Sequence, residues 1–205
     1  MAVAVLATVV LQVVTPHEGR LWFWWIFPVL EVAALAAVLI RDPGRIDART
    51  RAARRSTLIL IVLLTAGTLT GLVVLMLDVV DESYSDVGAT ALLGRGAALW
   101  VTNVVVFSLW FWELDRGGAA ERAAGSGMPA SFGFPEEAFP DLVAEGWMPR
   151  YPDYLYLSFT NATAFSPTDT LPLRTWAKLA MMGESVISLI TAILVIARAI
   201  NVLPG

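Results

Sequence analysis

"YLYLSFTNATAFSPTD", residues 154–169, stands just before the last long apolar run of the chain. It carries aromatic rings, as segments at a membrane interface do, together with asparagine, threonine and proline, which hydrocarbon disfavours. The stretch 152–165 predicts a short helix. Pro152 suits its first turn, Asp153 complements its amino-terminal dipole, and Tyr154, Leu155, Leu157, Phe159 and Phe165 supply apolar contacts. Such a helix is too short and too polar to cross a bilayer. Ser166 and Pro167 end it, and "TDTLPL" leads into the final apolar run. A short helix, an irregular stretch and a full-length helix together make a re-entrant hairpin. Irregular backbone at membrane depth is tolerated only where protein buries it or where it lines a water-filled cavity. The segment is therefore expected to face an interior.

The rest of the chain places that hairpin in a membrane. Of its 205 residues 57% are hydrophobic, against roughly 45–50% in a soluble domain. The apolar residues gather into five runs at about 2–15, 21–40, 57–77, 89–112 and 173–201. The fold expected is an all-α membrane protein of five transmembrane helices plus a re-entrant, pore-like helix before the last span. It divides into a four-helix region over 1–113, a polar loop over 114–151 and the hairpin over 152–205. The first run lacks a basic leader and a small-x-small cleavage site, so it reads as a retained helix. "LWFWWIF" and "LWFWELD" put aromatics at headgroup level. The polar loop, rich in Gly, Ala, Pro and Glu, is long enough to be partly mobile. Phe132, Phe134 and Phe139 of "FGFPEEAFP" are expected to anchor it against the membrane. Gly67 and Gly71 in "GTLTG" offer a surface for close helix approach. No internal repeat is visible, and an odd number of spans argues against a duplicated transporter.

Charge and composition exclude several functions. A net charge of −4 and a pI near 5.0 argue against a nucleic-acid partner. With no cysteine there is no disulfide, thiolate metal site or thiol nucleophile. The single histidine, His17, reads as a solvated residue in a short turn, so no metal and no cofactor are expected. No nucleophile–base pair is legible, and enzyme chemistry is not expected. Alternating five spans puts eleven basic residues on one side, six of them in "RDPGRIDARTRAARRS", and three on the other, which accounts for all 14. The positive-inside rule makes the richer side cytoplasmic, and the re-entrant segment falls on it.

Glu31 lies mid-run in "FPVLEVAALAAV" and Glu184 in "AMMGESVISLI". Carboxyl groups at such depth are costly and face a bundle interior or a cavity, so both are functional candidates. Pairing with Asn103, Arg95 or Lys178 would instead make them structural.

The string from Ser158-Phe159-Thr160 through Thr163 to Asp169 resembles the pore helix and filter of the tetrameric potassium-channel pore module, and a long helix follows it as there. The wider layout, over about 97–201, is similar to a family of uncharacterised bacterial predicted membrane proteins. That likeness rests on the aromatic-rich fourth run, the "FGFP" loop and the Asp-Tyr-Leu-Tyr start of the short helix. The resemblance implies a bacterial inner-membrane protein, a homo-oligomer (a tetramer if channel-like), and a path for small cations. Thr163, Ala164, Phe165, Ser166, Pro167, Thr168, Asp169 and Glu184 are the pore candidates, with Glu31 and Asn103 as further intramembrane polar residues. Both filter glycines are replaced, by Ser166 and Thr168, and most side chains do not tolerate the backbone angles of a potassium filter. The implied function is a weakly selective cation pore. The alternative is a non-conducting scaffold or partner subunit whose hairpin is a packing device, and a proton-coupled transporter using Glu31 and Glu184 ranks third. In the pore module the loop enters from outside, which conflicts with the charge count.

Overall fold

The computed structural model describes residues 2–14, 26–41, 51–80, 89–125, 127–164 and 169–202. Each apolar run forms a helix within a few residues of its expected bounds. These are α1 (Ala2–Val14), α2 (Ile26–Arg41), α3 (Arg51–Val80), α4 (Ala89–Leu114) and α8 (Thr175–Val202). The short helix before the last run is α7 (Tyr151–Ala164). Three of them, α3, α4 and α8, are long and apolar enough to cross a membrane. At 13 and 16 residues, α1 and α2 are shorter than the ~20 residues an untilted crossing needs. His17 and most of the Arg41–Arg55 loop lie outside the described residues.

α4 is the hub. It packs against α1, α3, α7 and α8, and 61% of its apolar stretch is buried, against 33% for α3 and 22% for α8. Contacts fix the directions. Along α3, Arg54 meets Glu113, Thr65 meets Trp110 and Gly71 faces Leu99, so α3 and α4 are antiparallel. Along α8, Gly183 faces Phe107, Ser188 meets Asn103 and Val195 faces Gly96. Along α7, Tyr151 meets Ser108, Ser158 meets Val104 and Phe159 meets Trp100. Thus α3, α7 and α8 all start at the carboxy-terminal end of α4 and run back along it. The outward faces are apolar, with Ile59, Val62 and Val73 exposed on α3 and Leu179, Met182, Val186 and Ile193 on α8, as a membrane protein requires.

The polar loop is more ordered than its composition suggests. It contains a 3-10 turn over Asp115–Gly117, then α5 (Ala119–Ala123), α6 (Pro135–Ala138) and a second 3-10 turn over Pro140–Leu142. It also contributes β1 (Phe132–Gly133), which pairs antiparallel with β2 (Leu171–Pro172) in the connection between α7 and α8. The fold is therefore mostly helical rather than purely α. Phe132 and Phe134 do not anchor to the membrane. They are buried in a cluster with Phe111, Tyr154, Leu157, Ala177 and Met181, and only Phe139 is exposed. Phe132 meets Phe111, Trp176 and Tyr154 edge-on at 5.1, 5.7 and 6.4 Å. Each such pair contributes about 0.5–1.5 kcal/mol beyond its buried area, which is why the loop is held.

Without a hydrophobic force between helices in lipid, small residues decide how closely they pack. Gly67 and Gly71 face neighbours in the same chain, with added Cβ atoms falling 3.0 Å from Glu31 Oε1 and 3.2 Å from Leu99 Cδ1. Among the described glycines the tightest approach is at Gly96, where a Cβ would overlap Val195 Cγ2. Gly96→Ala should push α4 and α8 apart at an overpacking cost of about 1–3 kcal/mol. Gly94, two residues away, has open space around it, and Gly94→Ala should be neutral or stabilising. Melting of the two variants in the same detergent checks this; equal melting temperatures would contradict the close α4–α8 contact.

Candidate functional site

A buried polar cluster sits where α4, α7 and α8 meet. Ser158 and Asn161 lie one turn apart on one face of α7, and Glu184 and Ser188 do the same on α8. Asn103 faces them from α4. Glu184, Ser158 and Asn103 have no exposed surface, and Ser188 and Asn161 are nearly enclosed. One carboxyl oxygen of Glu184 is hydrogen-bonded to the Ser158 hydroxyl, and the other accepts a bond of 2.7 Å from Asn161 Nδ2. Asn161 Nδ2 also donates to Met181 O at 2.9 Å, and Ser158 Oγ donates to Val104 O at 2.6 Å. Asn103 Nδ2 bonds Glu184 O at 3.1 Å and Ser188 Oγ at 3.0 Å. The cluster thus ties one short helix to two long ones.

The sequence candidates are only partly brought together. Glu184 and Asn103 do meet, but Asn103 holds the backbone carbonyl of Glu184 and not its carboxyl group. Glu31 is elsewhere, between α2 and α3. Its bond comes from Gln12 Nε2 at 3.2 Å, not from Asn103, Arg95 or Lys178, and its Oε2 has no hydrogen-bond partner among the described residues. Thr163 is exposed near the end of α7 and bonds its own helix, at 2.8 Å to Phe159 O and 3.2 Å to Thr160 O. Ala164 is the last residue of α7. Phe165, Ser166, Pro167 and Thr168 lie outside the described residues. Asp169 is exposed and accepts a long bond of 3.4 Å from the Tyr156 hydroxyl.

Asp169 also borders an open cleft of about 350 Å³ whose lining includes Glu136, Asp153 and Tyr156. The wall is acidic, but Asp153 is engaged as a helix cap, accepting the Arg150 N–H at 2.6 Å. No group of metal-ligating side chains is present among the described residues.

A second polar cluster, which the sequence does not announce, closes the carboxy-terminal end of α4. Asp115 is fully buried and accepts bonds from Ser131 N at 2.7 Å and the Tyr154 hydroxyl at 2.6 Å. Arg122, folded back from α5, donates to Trp112 O at 2.6 Å and Asp115 O at 2.8 Å. Carbonyls at a helix end have no partner within the helix, and Arg122 supplies one. Its guanidinium also lies over the rings of Tyr154 and Trp112, at 5.1 and 5.6 Å. Burial lowers the pKa of Arg122 from its ordinary value, opposed by Tyr154, Asp115 and Glu113; arginine nonetheless stays charged. The chain reverses through Arg116 (φ 50°), Gly117 and Gly118 (φ 97°). A side chain at Gly118 would meet Glu113 O at 2.9 Å, so glycine is required there. Arg116 is held in its left-handed conformation between Asp115 and Glu137.

No family model, curated protein or solved structure matches the chain.

Tyr154→Phe should leave the buried Asp115 carboxylate short of a donor and cost about 1–3 kcal/mol, read as a lower melting temperature in detergent. Tyr156→Phe, at an exposed hydroxyl, should change melting little. Comparable losses in both would mean that the Asp115 cluster does not hold the loop.

Proposed function

We propose that the chain is an integral protein of the bacterial inner membrane in which α1 and α2 also cross and α7 is re-entrant. In this reading the α7–α8 hairpins of several copies line a weakly selective path for small cations. The observation that carries it is the course of the chain. It passes the end of α4 at Tyr151, beside Ser108 and Trp112. Ser158 then lies level with Val104, ten residues or about 15 Å along α4 from Leu114. That is half of a hydrocarbon core of about 30 Å. By Asp169 the chain is back beside Tyr156, and Leu171–Pro172 pairs with Phe132–Gly133 at the level where it went in. The 14-residue helix reaches about 21 Å, and a chain that returns to the level at which it entered suits a dip into the bilayer and not a crossing. The acidic lining at Glu136, Asp153 and Asp169 would raise the local concentration of cations at the mouth.

The same geometry supports one sidedness whether or not α1 and α2 cross. The Arg54–Glu113 ion pair, at 3.5 Å, joins the arginine-rich start of α3 to the end of α4 where α7 begins. The positive-inside rule makes that end cytoplasmic. The hairpin is then inverted relative to the potassium-channel pore module that residues 158–169 resemble.

A second reading, a non-conducting scaffold, is favoured by a specific observation. The Glu184 side chain is bonded within its own subunit, and the Thr163 hydroxyl is bonded within its own helix. Both oxygens of the Glu184 carboxyl group are thus already engaged.

Two measurements test these readings. Single cysteines at Ala52 and Ala144 should share one accessibility to an impermeant thiol reagent in intact cells, protected in both, while one at Ser85 is labelled. Labelling of Ala52 without Ala144 would refute the shared end. In liposomes, cation flux should be measurable, with little preference for potassium over sodium, and Asp169→Asn should alter it at unchanged melting temperature. Absence of flux from the parent protein would leave the scaffold as the function.

A further inference from the structure

We propose that Glu184 is a proton-binding site and that its proton latches α7 onto α4 and α8. Ser158 Oγ lies within hydrogen-bonding distance of both Val104 O and Glu184 Oε1. A backbone carbonyl can only accept, and a serine hydroxyl has a single proton to give. With that proton on Val104 O, the contact between Ser158 and Glu184 Oε1 is a hydrogen bond only if the carboxyl group donates. The opposite oxygen, Oε2, accepts from Asn161, whose two amide protons are spent on Met181 O and on Glu184. With Ser158 bonded to both Val104 O and Glu184, the pocket offers one acceptor and one donor, the complement of a neutral carboxylic acid; a carboxylate would draw the Ser158 proton away from Val104 O.

The charges nearby agree. Lys178, on α8, is six residues from Glu184 and exposed. On α4, Arg95 and Glu113 are eight and ten residues from Asn103, toward opposite ends. The titratable groups of α7 are Tyr151, Asp153, Tyr154 and Tyr156, all in its first two turns, and α3 has none between Arg55 and Asp78. No described cation meets the Glu184 carboxyl group. When it loses its proton to water, a carboxylate is left with one donor. Ser158 must then abandon Val104 O, or water must enter between α7 and α8. Either change weakens the attachment of the carboxy-terminal half of α7. The inference rests on donors and acceptors within one subunit and is independent of the pore reading.

Glu184→Gln is the discriminating variant, because the glutamine amide sets an N–H donor group beside a C=O acceptor in nearly the same shape and stays neutral at every pH. Infrared difference spectra of parent against Glu184→Gln at neutral pH should show a protonated-carboxyl C=O band that the variant lacks. Hydrogen–deuterium exchange over α7, compared at matched pH, should be equally slow in both proteins under acidic conditions. At alkaline pH it should quicken in the parent by at least severalfold relative to the variant, as the parent loses the stability that its proton provides. A carboxylate band in place of the acid band would overturn the proposal. So would exchange profiles that coincide at every pH, or a Glu184→Gln protein that fails to fold while the parent shows no acid band.

Discussion

The bond between the Glu184 carboxyl group and the Ser158 and Asn161 side chains is the interaction on which the arrangement of the carboxy-terminal half depends. α7 is short, and its outward face carries Tyr156, Phe159 and Thr163. In the re-entrant reading, apolar contact alone does little to hold such a helix, because lipid tails are as apolar as leucine. Hydrogen bonds from a fully enclosed carboxyl group do hold it, since the alternative is an unpaired polar group in a medium that offers no partner. Apolar residues fill the space around them: Tyr154, Leu157 and Ala162 on α7 and Ala177 and Met181 on α8 are buried.

The two ends of α7 are secured by different physics. Its start is set in aromatic rings and in the Asp115–Arg122 cluster, where charge, cation–π contact and a β ladder act together. Its deep end depends on neutral hydrogen bonds from Ser158 and Asn161. The first attachment is spread over several kinds of contact. The second turns on a single ionisable group, and this asymmetry places the sensitive point of the hairpin at Glu184 instead of at the exposed Thr163 or Asp169.

The polar loop gains its order from the same source. Its segments are too short to be stable helices alone, yet Phe132 and Phe134 enter a core built by α4, α7 and α8. Arg122 reaches back to cap α4. The loop is thereby a lid on the arginine-rich end of the bundle, and the acidic cleft lies between that lid and α7.

The helices themselves were legible in the sequence because apolar runs of a given length have few alternatives in a membrane-like composition, and Ser166–Pro167 marks where α7 must stop. Glu184 stood out for a similar reason: a carboxyl group in a run such as "AMMGESVISLI" is costly unless something receives it. Its partners were not legible. Ser158 and Asn161 look like ordinary polar residues of a short helix, and Asp115, Arg122 and Ser131 look like loop, until the chain closes contacts across 7 to 54 residues. The expected membrane contact of Phe132 and Phe134 failed on the same ground. Composition records what a residue prefers to be surrounded by, and it treats protein interior and lipid alike. Only the tertiary structure, by fixing that α3, α7 and α8 all start at one end of α4, decided which of the two each side chain meets.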